Sequence, residues 1–400
     1  MSVSYWRRER SPVRQPSCDV VIVGGGITGL TSAYELCQRG MRVAILERHT
    51  LGSGASSRNA GYLMRGMAES YALVCNHLGR DTAKLVWRFT EENLTLLIER
   101  YSIDSLDSFH RKPSILVAMS DSEAEELADS ERLLCEDGFE THLVRSGSDS
   151  LWRSLQPTLA LVNPHDAALN PWQLVQRLRD GLISRFGDLA TIHENSEVVG
   201  FHPDPSGIVV RTERSEYPCN RVLVCTNAWA QELLPDLGAR IKPNRGQMMA
   251  LRAPGVRLDA SYYLNRGSEY LRQAADGSII LGGKRTHREG EEQTASDATT
   301  PEIQSELERY AKMVLQCDFK VIARWAGTMG FSPDGLPIIA RADAQPAEVW
   351  FCGGLTGHGM SLGAKTAQAA VQTMLGEIES PFPADRFREK EPPAGLEPAT

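Results

Sequence analysis

The alternation of apolar and polar positions near the N-terminus predicts a strand, a turn, a helix and a second strand. Residues 20–23 form an apolar, mostly β-branched run that is typical of a buried parallel strand. Apolar side chains then recur at i, i+3, i+4 and i+7 from Leu30, which indicates a helix. Gly40 stands where a left-handed C-terminal cap belongs, and a further apolar strand follows over 43–46.

The same patterns predict a mixed set of elements further along the chain. A polar stretch over 287–300 predicts an exposed loop, and Ser122 with Glu125 resembles a helix capping box. The expected elements are helices over 81–100, 121–137 and 171–186, a strand over 114–119, a hairpin over 197–211, a buried strand from Arg221, a meander over 262–283 and a helix ending near Met374.

The glycine spacing in the first predicted βαβ unit indicates a dinucleotide-binding site. Gly24, Gly26 and Gly29 follow the first strand in the order G-x-G-x-x-G, which permits a tight turn, close approach of a pyrophosphate and close helix packing. Glu47 ends the second strand 18 positions after Gly29, near the spacing expected of a carboxylate that binds ribose hydroxyls. An acid there favours an adenosine without a 2′-phosphate.

Two other stretches contain the small residues that let a ligand approach the backbone. Residues 51–61 offer hydroxyls, backbone N–H groups and Arg58 as phosphate donors, although a flexible surface connection is the alternative. Residues 349–360 repeat the order of strand and glycine turn before a helix. The N-terminus of that helix can direct N–H groups and a positive dipole end at an electron-rich atom.

Composition narrows the classes of function. The 400 residues are 42% hydrophobic and 24% charged, ordinary for a globular chain with two domains. A net charge of −8 argues against a nucleic-acid partner. The eight cysteines are scattered without metal-ligand spacing, so we predict no metal site and reduced thiols. With no signal peptide or membrane-spanning segment predicted, a cytoplasmic location is expected.

These motifs resemble the FAD-dependent oxidoreductases of the D-amino acid oxidase, glycine oxidase and sarcosine oxidase group from Cys18 to Phe387. The resemblance rests on 20–47, 54–61, 332–337 and 353–360. The 54–61 loop and Ser4-Tyr5-Trp6 look most like the γ-glutamylputrescine oxidase branch.

The resemblance implies an α/β fold with a Rossmann-type FAD-binding domain and a second α+β substrate domain built on an antiparallel sheet. The implied division is a flexible basic arm over 1–17, an FAD-binding domain over 18–84, 150–229 and 326–388, a substrate domain over 85–149 and 230–325, and a disordered tail over 389–400. The residues implied to bind FAD are Gly24, Gly26, Ile27, Thr28, Gly29, Glu47, Arg48, Ser56, Ser57, Arg58, Asn59, Gly61, Val198, Gly327, Gly354, Leu355, Thr356, Gly357, His358, Gly359 and Met360.

Departures from the family pattern bear on the substrate and on the cofactor link. Met329 stands where glycine and D-amino acid oxidases place a carboxylate-binding arginine. Ser361 replaces the lysine that follows the His-Gly turn in sarcosine oxidases, and Gly327 replaces their flavin-bonding cysteine. The resemblance therefore implies non-covalent FAD and a different contact for any substrate carboxylate.

Three residues are the candidate catalytic groups. Arg65 resembles an arginine that binds a carboxylate in sarcosine oxidase-like enzymes, with Arg266 and Arg272 as alternatives for which a solvated position is expected. Lys284 resembles the lysine that activates oxygen, although an exposed strand-end lysine is the alternative. His358 could tune proton transfer or serve as a structural hydrogen-bonding group.

The expected reaction is oxidation of an amine or amino-acid C–N bond by hydride transfer to flavin, after which the imine is hydrolysed. The expected partners are that small-molecule substrate and O₂ or another electron acceptor. Two alternatives remain at this point: a flavin dehydrogenase of a 2-hydroxy acid or glycerol phosphate, and a catalytically silent flavin-binding protein. Hydroxy-acid chemistry needs a base for the hydroxyl proton, a role that His358 could fill.

Because adjacent strand residues face opposite ways, at most one of Tyr262 and Tyr263 is expected to line the pocket.

Overall fold

The structure is a computed structural model that describes residues 12–205, 207–343 and 348–387. Its strands are, in chain order, β1 (Val13–Arg14), β2 (Cys18–Val23), β3 (Val43–Leu46), β4 (Tyr62–Leu63), β5 (His110–Arg111), β6 (Ser114–Ala118), β7 (His142–Val144), β8 (Leu159–Asn163), β9 (Ala167–Ala168), β10 (Ala190–His193), β11 (Val198–Asp204), β12 (Gly207–Thr212), β13 (Ser215–Val224), β14 (Lys242–Arg252), β15 (Ser261–Leu264), β16 (Glu269–Gln273), β17 (Ile279–Gly283), β18 (Lys320–Phe331), β19 (Ile338–Arg341) and β20 (Val349–Gly353). Its helices are α1 (Ile27–Gln38), α2 (Tyr71–Leu78), α3 (Arg80–Tyr101), α4 (Asp121–Glu136), α5 (Ser150–Leu155), α6 (Pro171–Phe186), α7 (Ala230–Leu233), α8 (Pro235–Gly238), α9 (Glu289–Glu292), α10 (Pro301–Leu315) and α11 (Gly359–Met374).

The first sheet is built around β2. Its parallel core runs β10, β3, β2 and β13, and β20 adds to β13 in parallel at the carboxyl end of that strand. Strands β12 and β11 extend the sheet in antiparallel fashion beyond β13. Residues 20–23 and 43–46 are fully or almost fully buried because α1 and α11 cover one face of the sheet. The predicted βαβ unit of β2, α1 and β3 is confirmed.

The second sheet has the strand order β18, β14, β17, β16, β15, β6, β8 and β7. Its neighbours are antiparallel except β6 and β15, which are parallel. Helix α10 packs on it through Ile303, Leu307 and Val314, which are buried at helical spacing. This arrangement confirms the predicted α+β unit on an antiparallel sheet. Strands β4, β9 and β5 form a small third sheet.

Three segments pack with the domain opposite to the one predicted for them. Strand β8 pairs with β6 in the second sheet, although 150–229 was predicted to belong to the first domain. Strand β18 pairs with β14 along its whole length, whereas residues from 326 onward were predicted in the first domain. Helix α3 packs against α11 through its buried apolar face, not within the second domain. A local pattern predicts an element but not the partner that covers it.

Three local predictions also need correction. Helix α4 is capped by Ser120, whose Oγ accepts from Glu123 N at 3.3 Å while the Glu123 carboxylate accepts from Met119 N at 2.7 Å. The capping box therefore begins two residues before the predicted one. The predicted exposed loop over 287–300 contains the short helix α9, in which Glu292 is 1% exposed. Strand β1 pairs with β13, so part of the predicted arm is ordered in the sheet.

Some predictions fall outside the described residues. These are the Ser4-Tyr5-Trp6 motif, the first eleven residues of the predicted arm and the tail over 389–400. Within the described ranges, no helix combines the length and apolar character that a bilayer crossing requires.

The approach of α1 to β2 generates a prediction. A Cβ atom at Gly29 would lie 1.9 Å from the carbonyl oxygen of Gly24, so Gly29→Ala must push the helix away from the strand. We expect this substitution to lower the free energy of unfolding by at least about 2 kcal/mol, measured by denaturant titration. Gly290→Ala is the control, since nothing lies within 4 Å of its added methyl group. It should change stability by less than about 0.5 kcal/mol, and equal effects of the two substitutions would contradict the packing argument.

Candidate active site

A large cleft of about 580 Å³ lies between the carboxyl ends of β2, β3 and β13 and the face of the second sheet. Ligands of open α/β sheets bind outside the carboxyl ends of the strands, and this volume is within the usual range of ligand pockets. The cleft has two chemically different ends. One end is lined by the turn between β2 and α1, and the other by aromatic and methionine side chains of β4, β14, β15 and β16.

The turn between β2 and α1 is shaped for close approach of an anion. Gly24 has a positive φ of 109°, a conformation that favours glycine. A Cβ atom at Gly26 would come within 2.7 Å of Ser56 Oγ. Gly26, the N-cap residue of α1, has no side chain to cap the helix, so apart from Ile27 N, which donates to Ser56 Oγ, the first N–H groups and the positive end of the dipole are available to the cleft.

Glu47 is held in place beside this turn by the backbone. Its carboxylate accepts from Gly25 N at 2.8 Å and from His49 N at 2.9 Å. The neighbouring Arg48 lies over the Trp229 ring at 4.3 Å and also lines the cleft. The sequence analysis did not identify Trp229 as a site residue, although it follows the predicted buried strand that begins at Arg221.

The loop over 51–61 folds under α1 and carries several predicted contacts. Ser56 Oγ accepts from Ile27 N at 3.0 Å, which joins the loop to the helix N-terminus. The Asn59 side chain donates to Ala55 O at 2.9 Å and closes the loop on itself. Arg58 contacts Asp297 at 3.1 Å and donates to a carbonyl of β18, so part of its donor capacity is already used within the protein.

The second glycine turn is positioned by a residue that sequence reasoning did not identify. Asn227 follows β13, adopts a positive φ of 47° and accepts from Gly354 N at 2.8 Å through Oδ1. Helix α11 then begins at Gly359 without a side-chain cap. Its N-terminal turn therefore presents N–H groups and a positive dipole end to the cleft. An asparagine directly after a parallel strand was the available signal.

His358 is the N-cap position of α11 and lines the cleft. Its Nε2 accepts from Ala68 N at 3.2 Å, which assigns the proton to Nδ1 in the neutral ring. Desolvation and, second, the charge of Arg285 lower the pKa of His358 from 6.5 to about 4. His358 is therefore neutral at physiological pH, and its accepting nitrogen is already bonded to the backbone.

Three tyrosine rings form a wall at the far end of the cleft, hereafter the tyrosine wall. The ring centroids of Tyr62 and Tyr263 are 5.2 Å apart, those of Tyr62 and Tyr270 6.1 Å, and those of Tyr263 and Tyr270 5.8 Å. Burial raises the pKa of each hydroxyl above its ordinary value, so the wall is uncharged. Tyr262 points away and donates to Asp149, so only one of the adjacent pair lines the cleft, as predicted.

Two candidate catalytic cations do not face the cleft. Arg65 is 5% exposed and contacts Asp166 at 3.1 Å and Glu91 at 3.0 Å, so its charge is already compensated. The Lys284 ammonium contacts Glu269 at 3.0 Å and lies over a ring of α10. Neither lines the cleft, so the structure does not bring these two predicted residues to the site.

The two alternative arginines are also placed away from the cleft. Arg266 is solvated, as expected, and contacts Glu126 at 2.9 Å. Arg272 is not solvated: it is 4% exposed and donates to the carbonyls of Ala60 and Leu169. It holds the loop that ends at Gly61 in place, and it does not line the cleft.

Most of the residues predicted to bind the cofactor do come together. Those that line the cleft are Gly24, Gly26, Ile27, Thr28, Glu47, Arg48, Ser56, Arg58, Asn59, Val198, Gly327, Leu355, Thr356, Gly357, His358, Gly359 and Met360. Those that do not are Gly29, Ser57, Gly61 and Gly354. Three of these are glycines that shape the backbone behind the wall of the cleft. No group of three or more metal-ligating side chains occurs in the part of the chain that the structure describes.

Comparison with known proteins adds to this geometry. A sequence model of the family described as FAD dependent oxidoreductase (DAO) matches residues 19–373. The chain is 24% identical over 397 residues to gamma-glutamylputrescine oxidoreductase of Escherichia coli (strain K12), covering 92% of this chain and 89% of that protein. It is 27% identical over 333 residues to glycine oxidase of Geobacillus kaustophilus (strain HTA426), covering 81% of this chain and 84% of that protein.

The fold is shared with a solved structure. The crystal structure of glycine oxidase from Geobacillus kaustophilus superposes with a TM-score of 0.75 at 24% identity. The superposition covers 92% of this chain and 97% of that one. The Rossmann-type architecture with a second α+β unit is thereby confirmed.

The environment of His358 predicts a pH dependence of folding. Because the folded-state pKa is about 4 and the unfolded value is 6.5, the unfolded chain binds the proton more readily. The contribution of His358 to the free energy of unfolding is therefore complete above about pH 6.5. It falls by about 1–3 kcal/mol as the pH drops from 6.5 through 4. Denaturant titrations at a series of pH values should show that His358→Gln lacks this loss. His165→Gln, at a solvated histidine, should keep the wild-type profile, and an unchanged profile in His358→Gln would contradict the assignment.

Proposed function

The chain belongs to the family of FAD-dependent oxidoreductases, and from that premise we propose that it oxidises the C–N bond of an amine or amino acid. The substrate carbon gives up a hydride, and water hydrolyses the resulting imine. Two relatives named above, a gamma-glutamylputrescine oxidoreductase and a glycine oxidase, support this substrate class by their names. The observation that carries the proposal is the meeting of the α11 N-terminus, His358 and the tyrosine wall at one end of the cleft.

The residues of the cleft fit FAD. The glycine turn after β2 leaves room that a side chain would fill, and the uncapped α1 N-terminus suits a diphosphate. The position of Glu47 at the end of β3, in the lining of the cleft, supports its role as an acceptor from ribose hydroxyls. Non-covalent binding is supported by Gly327, which stands where sarcosine oxidases have a flavin-bonding cysteine and offers no attachment atom.

FAD, when bound, supplies the acceptor for the hydride. The chain itself contributes orientation and electrostatics. The N–H groups at the start of α11 stabilise negative charge that develops beside them. The tyrosine wall and Met248 exclude water from the reacting carbon and hold the apolar part of the substrate.

An amine fits this site better than a hydroxy acid. Hydroxy-acid oxidation needs a base that removes the hydroxyl proton, whereas a neutral amine needs none. The Nε2 of His358 already accepts from Ala68 N, and its pKa near 4 makes it a weak base. This combination argues against the hydroxy-acid alternative.

The electron acceptor after the flavin is O₂ or another carrier. A cytoplasmic location is supported by the eight cysteines, which are all free.

We expect the purified holoprotein to be yellow and to bleach under anaerobic conditions when mixed with an amine or amino acid. The test is a visible-absorbance titration with primary amines, N-methyl amino acids, D-amino acids, L-amino acids and 2-hydroxy acids. Return of the colour on readmission of air would identify O₂ as an acceptor. Bleaching by hydroxy acids alone, or by nothing in the panel, would count against the proposed reaction.

We expect Glu47→Ala to weaken FAD binding by about 10- to 150-fold, because two backbone N–H groups and a ribose contact lose a charged acceptor. Titrating apoprotein with FAD and following flavin fluorescence would measure the change. Asp19→Ala is a matched control, since Asp19 accepts from Arg42 N at 2.7 Å at the opposite end of β2. Equal FAD affinity in wild type and Glu47→Ala would remove Glu47 from the site.

A further inference from the structure

Arg285 is a cation in the cleft that the sequence analysis did not single out. It begins a 3₁₀ turn over Arg285–Arg288, directly after β17, and its side chain lines the cleft. The guanidinium carbon lies 5.3 Å from the ring centroid of Phe331, so a ring supports one face of the group. Its charge also acts on His358, Tyr263 and Tyr270, which places it at the substrate end.

The guanidinium lacks an internal counter-ion. Among the described residues, no carboxylate lies within 4.0 Å of Arg285. Other cations enclosed by the fold have partners within the protein: Arg65 contacts Asp166, Arg245 contacts Glu292 and Lys284 contacts Glu269. Arg272 donates instead to the backbone carbonyls of Ala60 and Leu169. An unpaired, half-buried guanidinium is costly unless a ligand supplies the anion.

The surfaces around Arg285 define the rest of the complementary ligand. The tyrosine wall is uncharged, and Met248 and Met329 add apolar surface. Among the acidic residues of the lining, Asp297 contacts Arg58 at 3.1 Å and is already compensated. This end of the cleft therefore matches a molecule with one anionic group and an apolar or N-alkyl portion, and it offers no carboxylate to a substrate ammonium.

We infer that Arg285 binds the carboxylate of the substrate and thereby selects a carboxylated amine over a simple amine. The inference deepens the proposed function and rests on it for the identity of the substrate. Guanidinium geometry suits two parallel N–H···O bonds to a carboxylate. Arg285 is thus a specificity-determining residue, in a role that the sequence had suggested for Arg65.

The chain provides a matched pair of variants for the test. Lys284 and Arg285 are consecutive cations, but only Arg285 lines the cleft, while Lys284 contacts Glu269. The probes are straight-chain carboxylates from acetate to hexanoate and the corresponding neutral amides. Binding to the holoprotein is followed by the perturbation of the flavin visible spectrum, which needs no turnover.

We expect wild type and Lys284→Gln to bind the carboxylates equally and more tightly than the amides. Arg285→Gln should lose about 10- to 150-fold in carboxylate affinity with no change for the amides. Arg285→Lys should fall between, because it keeps the charge but loses the two-pronged geometry. The flavin content of each variant, from its absorbance ratio, shows whether the site remains folded, and Arg285→Lys serves as the test if Arg285→Gln does not retain FAD.

The inference would be overturned by carboxylate affinities that are the same in wild type and Arg285→Gln, or by an equal loss in Lys284→Gln. A wild-type preference for the amides would overturn it as well. Failure of the proposed function is a separate result, since it requires that no amine or amino acid bleaches the flavin. In steady-state assays, Arg285→Gln should raise KM for a carboxylated amine and leave KM for its decarboxylated analogue unchanged.

Discussion

The close approach of α1 to β2 is the constraint on which the cleft depends. The carbonyl of Gly24 lies where a side chain at Gly29 would stand, so helix and strand touch through backbone atoms. This contact brings the uncapped end of α1 to the carboxyl edge of the sheet, where Ser56 and Glu47 hold the turn from two sides. A larger residue at Gly29 would displace the N–H groups that make the site attractive to an anion.

The second sheet completes the cleft because several segments tie it to the first. The Trp325 indole donates to the Arg58 carbonyl at 3.1 Å, so β18 is joined to the 51–61 loop. The 285–300 segment is anchored from behind by Glu292, which contacts Arg245 at 2.6 Å inside the second domain. Arg285 and residues 295–297, which lie on either side of Glu292 in the chain, line the cleft. A buried charge distant from the chemistry thus positions one wall of the site.

The sequence was informative wherever the chemistry depends on local order. Glycines at fixed spacing and the acid after β3 predicted the nucleotide end, because a turn and its flanking elements are encoded within about 30 residues. It was uninformative where partners come from distant segments. Asn227 reaches the Gly354 turn across 127 positions, and β8 pairs with β6 although α4, β7 and α5 lie between them in the chain. No periodicity predicts which edge a strand will pair with or which carboxylate will neutralise a buried arginine.

The contrast between Lys284 and Arg285 shows how tertiary pairing decides the role of a charged residue. Both follow the same strand, and the family resemblance pointed to the first of them. Lys284 adopts a positive φ of 64°, and its ammonium meets Glu269, a residue of the neighbouring strand that is only 2% exposed. The next residue therefore occupies the cleft with its charge uncompensated. Enclosed cations such as Lys284 and Arg272 are bonded to a carboxylate or to backbone carbonyls, whereas Arg285 has no carboxylate partner among the described residues, so its position marks where a ligand can supply an anion.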